Sequence, residues 1–93
     1  MVVGVLTVEF SLPGSRSLKD KRRLVQSLVD RLHHEFHVAA AEVNHQDNLR
    51  RAGLAVACVS NAARHANQIL SRVVEVVERE TEMVVVDYEI ELR

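Results

Sequence analysis

Val2 to Phe10 alternates strictly: Leu6, Val8 and Phe10 point one way, while Val3, Val5, Thr7 and Glu9 point the other. A period of two predicts a strand with one face buried. Pro13-Gly14 ends it. The period then changes. Leu24, Val25, Leu28, Leu32 and Phe36 recur at helical spacing and predict a helix from about Leu18 to Phe36. Ser17 is placed to cap it, with Asp20 three residues later, as in a capping box. Val38 to about Asn44 reads as a second strand, His45 to Arg51 as a polar connection, and Ala52 to Ser60 as a third strand with Leu54, Val56 and Cys58 on one face. Asn61 is positioned to cap a second helix whose stripe is Ala62, Ala66, Ile69, Val73 and Val77. Glu82 to Leu92 closes the chain as a strand, with Val84, Val86, Tyr88, Ile90 and Leu92 alternating with Val85, Asp87, Glu89 and Glu91.

The order β-α-β-β-α-β, with two helices of similar length, predicts an α+β fold: a ferredoxin-like two-layer sandwich with both helices on one sheet face. The expected sheet order is 4-1-3-2, antiparallel except for the central pair. Residues 1–93 form a single domain, because no linker, low-complexity tract or short-period repeat interrupts them.

Composition narrows the function classes. An apolar content of 47% excludes general disorder. No run of about eighteen apolar residues is present, so no membrane helix is expected. Met1 to Phe10 lacks the basic start of a signal peptide, and the lone Cys58 excludes an intrachain disulfide; both fit a cytoplasmic location. The net charge of −1 argues against a general nucleic-acid binder. That balance hides an asymmetry: residues 1–60 hold eight Lys/Arg against six Asp/Glu, residues 61–93 four against seven. Any electrostatic function must therefore act through local patches.

The strongest patch is Ser15-Arg16-Ser17-Leu18-Lys19-Asp20-Lys21-Arg22-Arg23. A helix N-terminus already carries partial positive charge, so basic residues there run against the usual preference and suit an anion. Lys19, Arg22 and Arg23 project from the solvent side of the helix wheel, where a solvated face is the plain alternative. Lys21, seven residues before Leu28, lies on the inward stripe; it can snorkel to a ligand or to an ion pair with Glu9 or Glu42. Arg50 and Arg51 extend the candidate anion-binding set.

Glu42, His45 and Asp47 form a second candidate site, with an acid/base or turn-forming role. No nucleophile with a partnered base is identifiable, so a binding role is favoured over catalysis. His33 and His37 are spaced for one helix face, but no third ligand accompanies them, and neither a metal nor another cofactor is expected. Cys58 reads as a buried small hydrophobe. On the helix-free sheet face, Val3, Val5, Ala55, Ala57 and Val85 offer a candidate homodimer surface beside Thr7, Asp87 and Glu89. The aromatics Phe10, Phe36 and Tyr88 all fall on core stripes, which leaves no base-stacking platform on that face.

Leu12-Pro13, Ser17 to Arg23, Arg31-Leu32, Phe36 and Ala41-Glu42-Val43-Asn44-His45-Gln46-Asp47 together resemble the YlxP-like proteins, small bacterial proteins grouped as a domain of unknown function. The resemblance covers nearly the whole chain and rests on S-L-K-x-K-R and A-E-V-x-x-Q-D. The family's usual F-N-V-S is Phe36-His37-Val38-Ala39 here. The resemblance implies a ferredoxin-like fold and, through the family's usual gene neighbourhood, a link to translation or ribosome maturation. It transfers no catalytic residues. The resulting expectation is a non-enzymatic binding protein that meets RNA or a ribosomal component through the basic helix start; the alternative is a homodimeric protein-interaction module using the open sheet face.

Overall fold

The computed structural model describes residues 1–93. Its elements are β1 (Val2–Ser11), α1 (Leu18–Glu35), β2 (Ala39–Glu42), β3 (Arg51–Ser60), α2 (Ala63–Glu78) and β4 (Val84–Leu92). The sheet order is β2-β3-β1-β4, the predicted ferredoxin-like arrangement read from the other edge. Every neighbouring pair is antiparallel, including the central pair β1 and β3, where a parallel pairing was expected. The reason lies in the connections. The α1 crossover returns β2 in the direction of β1, and the β2–β3 hairpin then reverses the chain.

Both helices lie against the face formed by Leu6, Val8 and Phe10 of β1 and Leu54, Val56 and Cys58 of β3, all 3% exposed or less. From α1 come Val25, Leu28, Val29 and Leu32; from α2 come Ala66, Leu70, Val73, Val74 and Val77. Each fully buried Leu, Val or Phe contributes about 1.5–3 kcal/mol of transfer free energy. Gly4 lets α2 approach the sheet, since a Cβ there would lie 2.9 Å from a Leu70 methyl.

The α2 expectations change in detail. The cap position is Ala62, not Asn61, and its side chain makes no capping bond; the Ser60 hydroxyl accepts the Ala62 N–H at 3.1 Å instead. Ala62 therefore precedes the helix, and Leu70 fills the deep position expected of Ile69, which is half-buried.

β4 differs most from its predicted pattern. Glu9 pairs with Asp87, but the next residue, Phe10, pairs with Val85. Val86 is thus an inserted bulge residue, and alternation shifts phase across it. Val85 consequently turns to the helix side and packs on the core, so it leaves the open face on which it was expected. Val84 and Val86 become 55% and 49% exposed. Tyr88 does face the helix side opposite Val8, yet its edge position leaves it 51% exposed rather than in the core.

Candidate functional site

The basic stretch begins in a tight turn. Ser15 is buried, and its hydroxyl donates to the Ser17 carbonyl at 3.3 Å. Ser17 is the N-cap of α1, as its position predicts: its Oγ accepts the Asp20 N–H at 3.0 Å. The Asp20 carboxylate accepts from the Arg16 N–H at 3.4 Å and from the Arg23 guanidinium at 3.0 Å. Asp20 therefore supplies part of the negative charge that this helix start attracts. Arg16, Lys19 and Arg22 are exposed and form no ion pair within the chain.

Lys21 behaves differently from its neighbours. It is 0% exposed. Its ammonium donates to the carbonyls of His45 at 2.5 Å and Asn48 at 2.9 Å, and lies 3.1 Å from Glu42 Oε2. The Glu42 contact is an ion pair off the hydrogen-bonding direction, and this buried oxygen has no hydrogen-bond donor. Lys21 therefore drops out of the anion-binding set. Two of its three N–H donors are taken by these carbonyls, its charge faces the partly buried Glu42 carboxylate, and its side chain is wholly enclosed, so an external phosphate has no access. Of the two partners open to it from its spacing, the structure selects Glu42; Glu9 pairs elsewhere.

What Lys21 holds is the turn after β2. Asn44 and His45 both adopt left-handed backbone, with φ of 58° and 51°. Asn and His tolerate that region better than most residues, and the His45 carbonyl is fixed from two sides, by Lys21 and by the Asn48 N–H at 3.0 Å. At the base of this hairpin Gly53 is required by contact: a Cβ would come 2.5 Å from the Val43 carbonyl oxygen. The returning chain docks on the helix start. The Arg50 carbonyl accepts the Leu12 N–H at 2.8 Å, and the Arg50 guanidinium reaches the Ser15 carbonyl at 3.5 Å. An open cleft of about 440 Å³ lies here, lined by Ser11, Pro13, Asn48, Arg50 and Arg51. The turn thus brings Arg50 beside the Arg16 end of the basic stretch. A second groove, about 730 Å³, runs between α1 and β2 past Arg22, Arg23, Gln26, His33 and Glu42.

Glu42, His45 and Asp47 do not assemble into a site. Glu42 faces Lys21 and the helix layer, whereas the His45 ring reaches Glu9 Oε1 on the opposite sheet face at 2.6 Å. Asp47 is exposed in the turn. The grouping that does form is Glu9, His45 and Arg51, whose guanidinium meets Glu9 Oε2 at 2.6 Å. The His45 hydrogen bond, then that from Arg51, holds the Glu9 carboxyl below the usual carboxylate range. Arg51, placed in the candidate anion set, is therefore partly neutralised. The signal for this trio was one charged residue, Glu9, closing an otherwise uncharged strand face; its partners are too distant in the chain for spacing to reveal them.

No group of three His, Cys, Asp or Glu side chains is placed to hold a metal ion. His33 Nε2 instead accepts the Ala40 N–H of β2 at 3.2 Å, and His37 lies beyond the end of α1. Cys58 is buried, and that burial pushes its thiol up. On the helix-free face Val3 pairs with Val59, Val5 with Ala57 and Thr7 with Ala55, with Ala39 and Ala41 alongside.

These features define a two-layer ferredoxin-like domain with a basic helix start and a docked hairpin turn. The chain belongs to the family described as "Protein of unknown function (DUF503)", which matches residues 3–90. It is similar to the uncharacterized protein YlxP of Bacillus subtilis (strain 168), with 28% identity over 72 residues, covering 77% of this chain and 78% of that relative. No helix is long and apolar enough to cross a membrane.

Proposed function

We propose that the protein is a cytoplasmic binding protein that holds backbone phosphates of RNA, free or ribosome-associated, at the end of the molecule built from the α1 start and the docked turn. The observation that carries this reading is the docking itself. Lys21 ties down the turn, and Arg50 then stands beside Ser15, so Arg16, Lys19, Arg22 and Arg50 present cationic groups without a carboxylate partner. Arg23 and Arg51 flank them with part of their charge already spent on Asp20 and Glu9. Four contacts to single-stranded phosphates imply roughly a fifty-fold loss of affinity between about 50 and 200 mM salt. Filter binding to ribosomal RNA at two salt concentrations tests this, with Arg16→Glu plus Arg22→Glu expected to abolish retention. Salt-insensitive binding, or none at low salt, would overturn it.

A second reading, a homodimer through the open sheet face, is supported by Val3, Val5, Ala55 and Ala57 sharing that face with Val59, which is 65% exposed. Light scattering of wild type against Val5→Lys separates the two readings: a dimer that becomes a monomer supports it, and a monomer in both samples removes it.

A further inference from the structure

We infer that the outer edge of β4 is a docking site for an extended segment of a partner protein in which Lys or Arg alternates with apolar residues, added to the sheet as a fifth strand.

The backbone parity comes first. Val3 and Arg93 exchange both hydrogen bonds, Val3 N–H to Arg93 O at 2.9 Å and Arg93 N–H to Val3 O at 2.8 Å. The register continues unbroken from Gly4 opposite Leu92 to Glu9 opposite Asp87. Antiparallel pairing alternates, so Leu92, Ile90 and Tyr88 turn their N–H and C=O groups away from β1 and toward solvent. Three consecutive outward residues can hydrogen-bond an added strand. The Val86 bulge limits the usable edge to this stretch.

The side chains define the occupant. On the helix side Tyr88 and Leu92 are 51% and 42% exposed, with Ile90 half-buried between them. On the other side stand Asp87, Glu89 and Glu91, of which only Glu91 has a cationic partner, Arg93 at 3.0 Å. A strand that alternates apolar and basic residues meets both rows at once, because cross-strand neighbours face each other directly.

A second copy of this chain fits poorly. Antiparallel pairing of β4 with itself must join outward residues to outward residues. Centred on Tyr88 it sets Asp87 against Glu89. With Tyr88 opposite Ile90, Glu89 meets Glu89. Centred on Ile90, Glu89 meets Glu91, and with Ile90 opposite Leu92, Glu91 meets Glu91. Each of these four registers places carboxylates face to face, which is destabilising; the register centred on Leu92 avoids this but overlaps only residues 91–93. The acidic row thus disfavours every extended self-pairing while it favours a basic strand.

The experiment uses a blocked, labelled heptapeptide alternating Lys and Val, with Glu/Val and Lys/Gly peptides of equal length as controls. Binding is followed by fluorescence polarisation and by amide shifts of the isotope-labelled protein. The expected result is binding of Lys/Val alone, with shifts concentrated at residues 88–92. Tyr88→Pro removes an outward N–H from an edge strand and should weaken binding about tenfold or more. Glu89→Lys with Glu91→Lys should transfer preference to the Glu/Val peptide. Should the proline variant fail to fold by circular dichroism, the charge-reversed pair and the wild-type shift map decide. Equal binding of Lys/Gly, no binding, shifts confined to β2 or to the open face, or a dimer whose β4 amides are protected without peptide would each overturn the inference.

Discussion

The two edges of the sheet are built on opposite terms. β2 has four residues and is clamped: His33 takes up the outward N–H of Ala40, and the buried Lys21 grips Glu42 and the turn that follows. β4 has nine residues, and its exposed Val84, Val86, Tyr88 and Leu92 border a backbone row that nothing in the chain covers. An unpaired edge is a liability that proteins commonly blunt. Here one edge is closed by hydrogen bonds and ionic contact, the other guarded only by a bulge and by charge. The contrast implies that rigidity in this domain is concentrated at the β2 end, beside the basic helix start, and that adaptability is left to β4.

The largest test of that contrast is Lys21→Met. It strands Glu42 beside an apolar group and frees two carbonyls, so a loss of about 3–5 kcal/mol is expected in urea unfolding. Adding Glu42→Gln should recover part of it, because the two residues form one pair. A cost below about 1 kcal/mol would mean that the clamp is not ionic. Gly53→Ala comes next. Its Cβ must displace the Val43 carbonyl, an overpacking strain of about 1–3 kcal/mol, with faster hydrogen exchange in β2 and its turn but unchanged exchange in β4. His33→Ala should cost about 0.5–1.5 kcal/mol by releasing the Ala40 N–H. Tyr88→Thr, on the open edge, should stay within about 0.5 kcal/mol of wild type, since its ring is half in solvent. If it costs as much as the β2 changes, the asymmetry fails.

The pH dependence sharpens the same comparison at the acid end. The Glu9 carboxyl is held below its ordinary value by His45 and Arg51, so the folded state binds that proton less readily than the unfolded chain. The stability it contributes is fully present above the unfolded value near 4.5 and is lost as pH falls through the lowered folded value. Glu9→Gln should therefore flatten the acid limb of an unfolding titration. An unchanged acid limb would show that the trio does not form in solution.

Much of this architecture was legible in the residue pattern. Alternation and helical spacing located all six elements, Ser17 caps α1 as read, and Lys21 lies on the inward stripe as its distance from Leu28 requires. Val85 was misplaced because period-two reasoning carries phase forward and cannot register an inserted residue such as Val86. Capping propensity points to Asn61, whereas the chain places Ala62 at the cap and takes up its N–H with Ser60. The central strands are antiparallel rather than parallel because the β2–β3 hairpin reverses the chain before β3 meets β1. In the site, Lys19, Arg22 and Arg23 stand exposed as their helix positions require, but Glu42, His45 and Asp47 do not come together. Neighbours in a turn can send their side chains to opposite faces of the sheet, and sequence proximity does not reveal which.

The cage around Lys21 also bears on the order in which the molecule comes apart. An ammonium gives up its water only when replacement ligands are in place, and here they come from the turn at His45 and Asn48, more than twenty residues along the chain. Those contacts need both α1 and the turn after β2 in place, so Lys21→Met is expected to speed unfolding more than it slows folding, as stopped-flow measurements in urea would show. Interactions absent from the transition state act on the unfolding rate and leave the folding rate nearly untouched. The same lysine that is hidden from any external ligand therefore acts as a latch on the lifetime of the folded state.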